Sequence, residues 1–69
     1  MPERLTNNLK ATREGRGWTQ GQLAEAIGVS RKTINTVENE VFIPSTVIAL
    51  KLAAALGKPV EELFRLVEE

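Results

Sequence analysis

The stretch that decides the fold is Thr19-Gln-Gly-Gln-Leu-Ala-Glu-Ala-Ile-Gly-Val-Ser-Arg-Lys-Thr-Ile-Asn-Thr-Val-Glu38. It reads as two short helices joined by a tight turn. Thr19 is a good helix N-cap and Gln22 follows three residues later. That is the spacing of a capping box, in which each side chain accepts the other residue's backbone N–H. Leu23, Ala24 and Ile27 give the first of these helices an inward face over about eight residues, roughly 12 Å. Gly28 supplies the positive φ that a helix C-terminus favours. Ser30, two residues on, caps the next helix, at about residues 31–38. In it Ile34 and Val37 are the apolar pair. Arg31, Lys32, Thr33, Asn35 and Thr36 leave the opposite face polar and rich in hydrogen-bond donors. Two short helices joined by a turn of about three or four residues containing glycine form a helix-turn-helix unit. Ala24 is small where they cross, which lets them approach closely.

Outward from this unit the chain stays helical by pattern. Upstream, about Glu3 to Glu14 reads as a first helix, with Leu5 and Leu9 one turn apart, ended by Gly15 and Gly17. Downstream, Asn39 to Ser45 is a loop closed by Pro44. Ser45 or Thr46 caps a fourth helix to Leu56 that is apolar nearly all round, so it sits centrally or faces a partner. Gly57 stops it. After Lys58-Pro59 a fifth short helix, about Val60 to Leu66, carries Glu61 and Glu62 in its first turn, where they suit the helix dipole. No run alternates as a strand does. The expectation is an all-α, five-helix bundle in which residues 1–69 form a single domain.

Composition narrows the function. The 69 residues include no cysteine and no histidine. The chain thus lacks a thiolate nucleophile, a Cys-based zinc site, and the commonest metal ligand and general base. No enzyme, metal or cofactor is expected. The longest nearly apolar run, Val47 to Leu56, is broken by Lys51 and falls short of the about 20 residues that cross a membrane. The first residues carry no apolar signal region. A cytoplasmic protein follows as the expectation, without a membrane partner. A chain of this length leaves no room for a separate ligand-sensing domain, so no small-molecule ligand is expected either.

Nine basic and nine acidic side chains cancel, which at face value argues against a nucleic-acid binder. The distribution says otherwise. Residues 1–36 carry +3 and residues 37–69 carry −3, so the positive half contains the two-helix unit. A helix fits the major groove of B-DNA, and its N-terminal residues meet base edges there. Arg31 or Lys32 is suited to guanine O6 and N7, and Thr33 and Thr36 to a base edge or a thymine methyl. Asn35 suits either adenine or the DNA backbone. Trp18 fits better as core beside the start of the second helix than as a platform for a base.

The run Gly17 to Asn39 resembles the Cro/C1-type (XRE family) helix-turn-helix domain. The resemblance rests on Thr19-Gln-x-x-Leu-Ala, then Gly28-Val-Ser-Arg-x-Thr-Ile, then Glu38-Asn. Pro44-Ser45 and Gly57-Lys-Pro-Val-Glu-Glu-Leu-Phe64 match the family's fourth and fifth helices, and the likeness covers about residues 5 to 66. It implies a lambda-repressor-like bundle and a sequence-specific transcriptional regulator, a repressor, that binds double-stranded DNA as a homodimer. By position it assigns Ser30, Arg31, Lys32 and Thr36 to the major groove, where the chemistry of the face adds Thr33 to base readout, and Gln20 and Asn39 to DNA phosphates. The charges left for DNA add Lys10 and Arg16 at the rim, and Asn35 is placed with the phosphate contacts. Arg13 and Glu38 resemble a buried ion pair between the first and third helices. Three positions depart from the pattern: Thr12 in place of a core Leu, Gly21 inside the second helix, and Glu40 where the family has Gly. The surplus Leu63, Phe64, Leu66 and Val67 on the fifth helix suggests a dimer surface. Phe42 and Ile43 of the loop either tuck against the fourth helix as core or join that surface. The alternative reading is an antitoxin or protein-interaction adaptor on the same fold.

Overall fold

Three side-chain caps set the helix starts. The Thr19 hydroxyl accepts the N–H of Gln22 at 3.1 Å while Gln22 Oε1 accepts that of Thr19 at 2.8 Å. Ser30 Oγ accepts from Thr33, and Ser45 Oγ from Ile48, each at 3.1 Å. Glycines at positive φ close two of these helices, Gly28 at 76° and Gly57 at 66°. The computed structural model describes residues 3–68. In chain order they form β1 (Glu3–Asn7), α1 (Leu9–Gly15), α2 (Gln20–Ile27), α3 (Arg31–Glu38), α4 (Thr46–Leu56), α5 (Val60–Leu63) and β2 (Phe64–Glu68). No helix among the described residues is long and apolar enough to cross a membrane.

The bundle is therefore helical but not all-α. β1 and β2 pair antiparallel, with Glu3 opposite Glu68, Leu5 opposite Leu66 and Asn7 opposite Phe64. The first helix does not begin at Glu3. Asn7 Oδ1 accepts the N–H of Leu9 at 3.0 Å, which turns the chain from an extended strand into α1. The fifth helix does not reach Leu66 either. It ends at Leu63, and Phe64 already has extended backbone at φ −126° and ψ 144°.

Leu9, Leu23, Ile34, Leu52, Leu56 and Leu63 are almost wholly buried at the centre. Every helix supplies at least one of them, so the two-helix unit is held by the whole bundle. Phe64 closes the core at 8% exposure. Leu63 and Phe64 are thus core residues of the single chain and do not offer a surface to a partner. Leu66 stays 64% exposed on the ribbon. Phe42 and Ile43 do not tuck against α4: they are 45% and 71% exposed. On α4, Leu52, Ala53 and Leu56 face inward, while Val47 and Leu50, one turn apart, stay exposed.

Gly28 gives a local test of the turn. A Cβ built there meets nothing within 4 Å, so alanine brings only the left-handed strain. Gly28→Ala is expected to lower stability by about 1–2 kcal/mol, read as a lower urea midpoint with an unchanged slope.

Candidate nucleic-acid interface

Ile34 and Val37, 0% and 1% exposed, anchor α3 to the core and fix which of its residues look outward. Ser30, Arg31, Lys32 and Asn35 are exposed, and Thr33 and Thr36 are half-buried. Their chemistry differs more than their exposure. Ser30 Oγ and Thr33 Oγ1 lie 2.9 Å apart, and the Thr36 hydroxyl donates to the Thr33 carbonyl at 3.0 Å. Two of these hydroxyls thus spend their hydrogens within the helix and offer lone pairs and methyl groups. Asn39 Nδ2 donates to both the carbonyl and Oδ1 of Asn35, at 3.0 and 3.3 Å. That leaves the Asn35 amide nitrogen to point outward as a donor. Arg31 and Lys32 form no ion pair or hydrogen bond with any described residue. The outward face of α3 therefore offers two uncompensated cations and one amide.

Gln20 opens α2 and is oriented from beneath. Its Nε2 donates to Glu38 Oε1 at 3.0 Å, and an ionised carboxylate can only accept, so the amide has one orientation. Gln20 and Arg31 line one shallow groove with Trp18, Thr19 and Gly21. Because Thr19 takes the N–H of Gln22, those of Gln20 and Gly21 remain as unpaired donors of the first turn. A phosphate seated there would meet backbone donors, the helix dipole and the Arg31 guanidinium together.

Beneath this groove lies the ion pair between α1 and α3. Arg13 Nε meets Glu38 Oε2 at 2.7 Å and Nη2 meets Oε1 at 3.2 Å. The third nitrogen, Nη1, donates to the Trp18 carbonyl at 2.7 Å. The side chains are 8% and 2% exposed. The bond to Glu38 raises the Arg13 pKa above its ordinary value, against burial.

One expected phosphate ligand, Arg16, is engaged within the fold. Arg16 Nη1 donates to the Leu56 carbonyl at 3.1 Å, and its guanidinium lies 5.0 Å from the Trp18 ring centroid. It caps the end of α4 and stacks on Trp18, so its charge is committed to the fold. Lys10 is exposed on α1.

The pattern reading missed what β1 brings to the far end of α3. Asn7 Nδ2 donates to the Val37 carbonyl at 2.9 Å. Glu40, at φ 62°, is the one non-glycine residue at positive φ among those described, a conformation that costs about 1–2 kcal/mol. Its carboxylate turns away from the α3 face toward β1. Oε2 accepts from Thr6 Oγ1 and Oε1 from Arg4 Nη1, both at 2.8 Å. The Thr6 bond, with Arg4 beside it, holds the Glu40 carboxyl below the usual carboxylate range, against burial. The only local signal was Glu40 itself, a side chain where the family has glycine.

Known proteins share this helix-turn-helix arrangement. A family model described as helix-turn-helix matches residues 9–63. The HTH-type transcriptional regulator YgzD of Bacillus subtilis is 35% identical over 65 residues, 94% of this chain and 98% of its own. Antitoxin HipB of Escherichia coli O6:H1 is 36% identical over 55 residues, 80% of this chain but 58% of its own. Among solved structures, the restriction-modification controller protein C.AhdI from Aeromonas hydrophila superimposes with a TM-score of 0.74 at 35% identity. That match covers 78% of this chain and 82% of that one.

Proposed function

The chain belongs to the helix-turn-helix family of transcriptional regulators, and from that premise we propose a homodimer that reads operator DNA with α3 and represses by occupying it. The observation that carries the reading is the outward face of α3, where Arg31, Lys32 and the Asn35 amide stand uncompensated beside the Gln20 groove. Arg31 and Lys32 take base edges, with Ser30, Thr33 and Thr36 fitting methyl groups and acceptors around them. Gln20, Asn35 and Asn39 fix the register on phosphates. Few phosphate cations remain once Arg13 and Arg16 are committed to the fold, so a single subunit binds modestly.

That modest affinity makes pairing of subunits important. Val41, Phe42 and Ile43 of the loop and Val47 and Leu50 of α4 are exposed apolar side chains close together in sequence. We assign the dimer surface to this loop and the first turns of α4, with Leu66 and Val67 of β2 as further candidates. Two copies would present their α3 helices to half-sites about 34 Å apart.

The test is selection of bound duplexes from a random pool, followed by titration of the recovered site. Arg31→Ala is expected to weaken binding per half-site by about 1–3 kcal/mol, the discrimination of one bidentate base contact, and to relax preference at one base position. A wild-type chain with no preference over random duplex would overturn the regulator reading. It would favour the second one, an antitoxin or adaptor that uses the fold to hold another protein, which the likeness to HipB and the exposed apolar loop support.

A further inference from the structure

Asn39, assigned above to a DNA phosphate, lies between two glutamates that are both tied down. Glu38 is held by Arg13 and Gln20. Glu40 is held by Arg4 and Thr6 of β1. One residue further along β1, Asn7 donates to the Val37 carbonyl, which also accepts the N–H of Glu40 at 3.1 Å. The next two amides, those of Val41 and Phe42, return to the Thr36 carbonyl at 2.9 and 3.2 Å. The last turn of α3 is therefore closed on itself and gripped by Arg4, Thr6 and Asn7 of a strand 30 to 36 positions upstream. Glu40 keeps a strained backbone conformation that glycine would adopt freely. A carboxylate so close to an expected phosphate would weaken binding if left uncompensated, and here its charge is met by Arg4.

The geometry points to Thr6, Asn7 and Glu40 as positioning residues for DNA binding: the clamp from β1 sets the end of α3 and Asn39 in the arrangement that meets the phosphate. This rests on the reading of α3 as the DNA-contacting helix. None of the three need touch DNA. Arg4 contributes charge, and Thr6 contributes direction. Pairing of β1 with β2 holds the strand in place, so the ribbon acts as the anchor of the clamp.

Glu40→Gly separates this from the simpler expectations. It removes a negative charge beside the phosphates and relieves the positive φ, so charge and strain alone predict tighter binding and a higher melting temperature. The clamp predicts weaker binding to the selected duplex, by about 2- to 30-fold, without a lowered melting temperature. Thr6→Val, nearly isosteric, is expected to fall in the same direction. It should also speed hydrogen exchange of the Glu40 and Val41 amides in the free protein. The slope of log K against log salt should match wild type for Thr6→Val, because Asn39 is uncharged and no cation is added to or removed from the interface. Arg31→Ala runs beside them. If it leaves binding unchanged, the reading of α3 fails and the clamp with it. If it weakens binding while Glu40→Gly and Thr6→Val bind as well as wild type or better, the clamp alone is overturned. Unchanged exchange at Glu40 and Val41 in Thr6→Val also overturns it.

Discussion

Replacing Glu38 with alanine should destabilise the fold by about 3–5 kcal/mol, a large part of the about 5–15 kcal/mol that holds a small domain together. The reason is the charge left behind. The Arg13 side chain is 8% exposed and gives two nitrogens to Glu38, at 2.7 and 3.2 Å. Arginine cannot shed its proton within a protein. Without Glu38 the guanidinium must stay buried with only the Trp18 carbonyl and, at 4.0 Å, the exposed Glu14 carboxylate, or swing out and pull the turn after α1 with it. Gln20 loses its acceptor in the same step, so the groove at the start of α2 loosens together with the core.

A companion variant separates the penalty of a lone charge from the worth of the pair. Arg13→Met combined with Glu38→Leu removes both charges at similar volume and should cost far less than Glu38→Ala, or nothing. Urea unfolding followed by circular dichroism gives both numbers. A loss below about 1 kcal/mol for Glu38→Ala, the range of exposed pairs, would show that water reaches the pair and that its burial is not what holds α1 to α3.

The two-helix unit was legible because its signals are local. Thr19 and Gln22 are three residues apart, Gly28 and Ser30 two, and Ile34 and Val37 three. Each spacing acts through contacts within one turn of helix, which a short window of sequence contains. The sheet was not legible for the opposite reason. Leu5 lies four residues before Leu9, the spacing of a helix face, yet Leu5 finds its partner in Leu66 at the other end of the chain. Each strand is five residues long, too short for alternation to outweigh that spacing. Leu63, Phe64, Leu66 and Val67 read as one helical surface in sequence. Leu63 is buried as the last residue of α5, Phe64 is nearly buried where the backbone turns extended, and Leu66 is left outside.

Charges were legible in number and not in partner. Arg13 and Glu38 could be matched through the family pattern, whereas the Arg16 and Glu40 side chains have partners 40 and 36 positions away. Nothing near Arg16 in sequence marks it as the cap of α4. Its cation looked available for phosphate because its carbonyl acceptor and the Trp18 ring come together only when α1 packs beside the end of α4.

The same displacement of roles makes Phe64 decisive, since the two readings of it predict opposite behaviour. A phenylalanine at a subunit interface would, on truncation, weaken association and leave each subunit's packing intact. A phenylalanine at 8% exposure in the core of one chain leaves a cavity instead. Phe64→Ala is then expected to cost about 3–5 kcal/mol, or roughly 12 °C or more in melting temperature for a domain of this size. The drop should persist at every protein concentration, because the lost contacts lie within the chain. Phe42→Ser should do the reverse, shifting sedimentation toward monomer while the melting temperature of the dilute protein barely moves. Phe64 also stands opposite Asn7 in the ribbon, and Asn7 both starts α1 and holds the end of α3. Truncating Phe64 removes apolar support from beneath that pairing, so Asn7 should lose its hold on Val37 as β2 frays. Amide exchange at Leu9 and Glu40 should therefore quicken more than at Leu23 in the centre of the bundle. Equal protection at all three would mean that the ribbon stays paired without Phe64, and that its packing is not what joins the chain ends to α3.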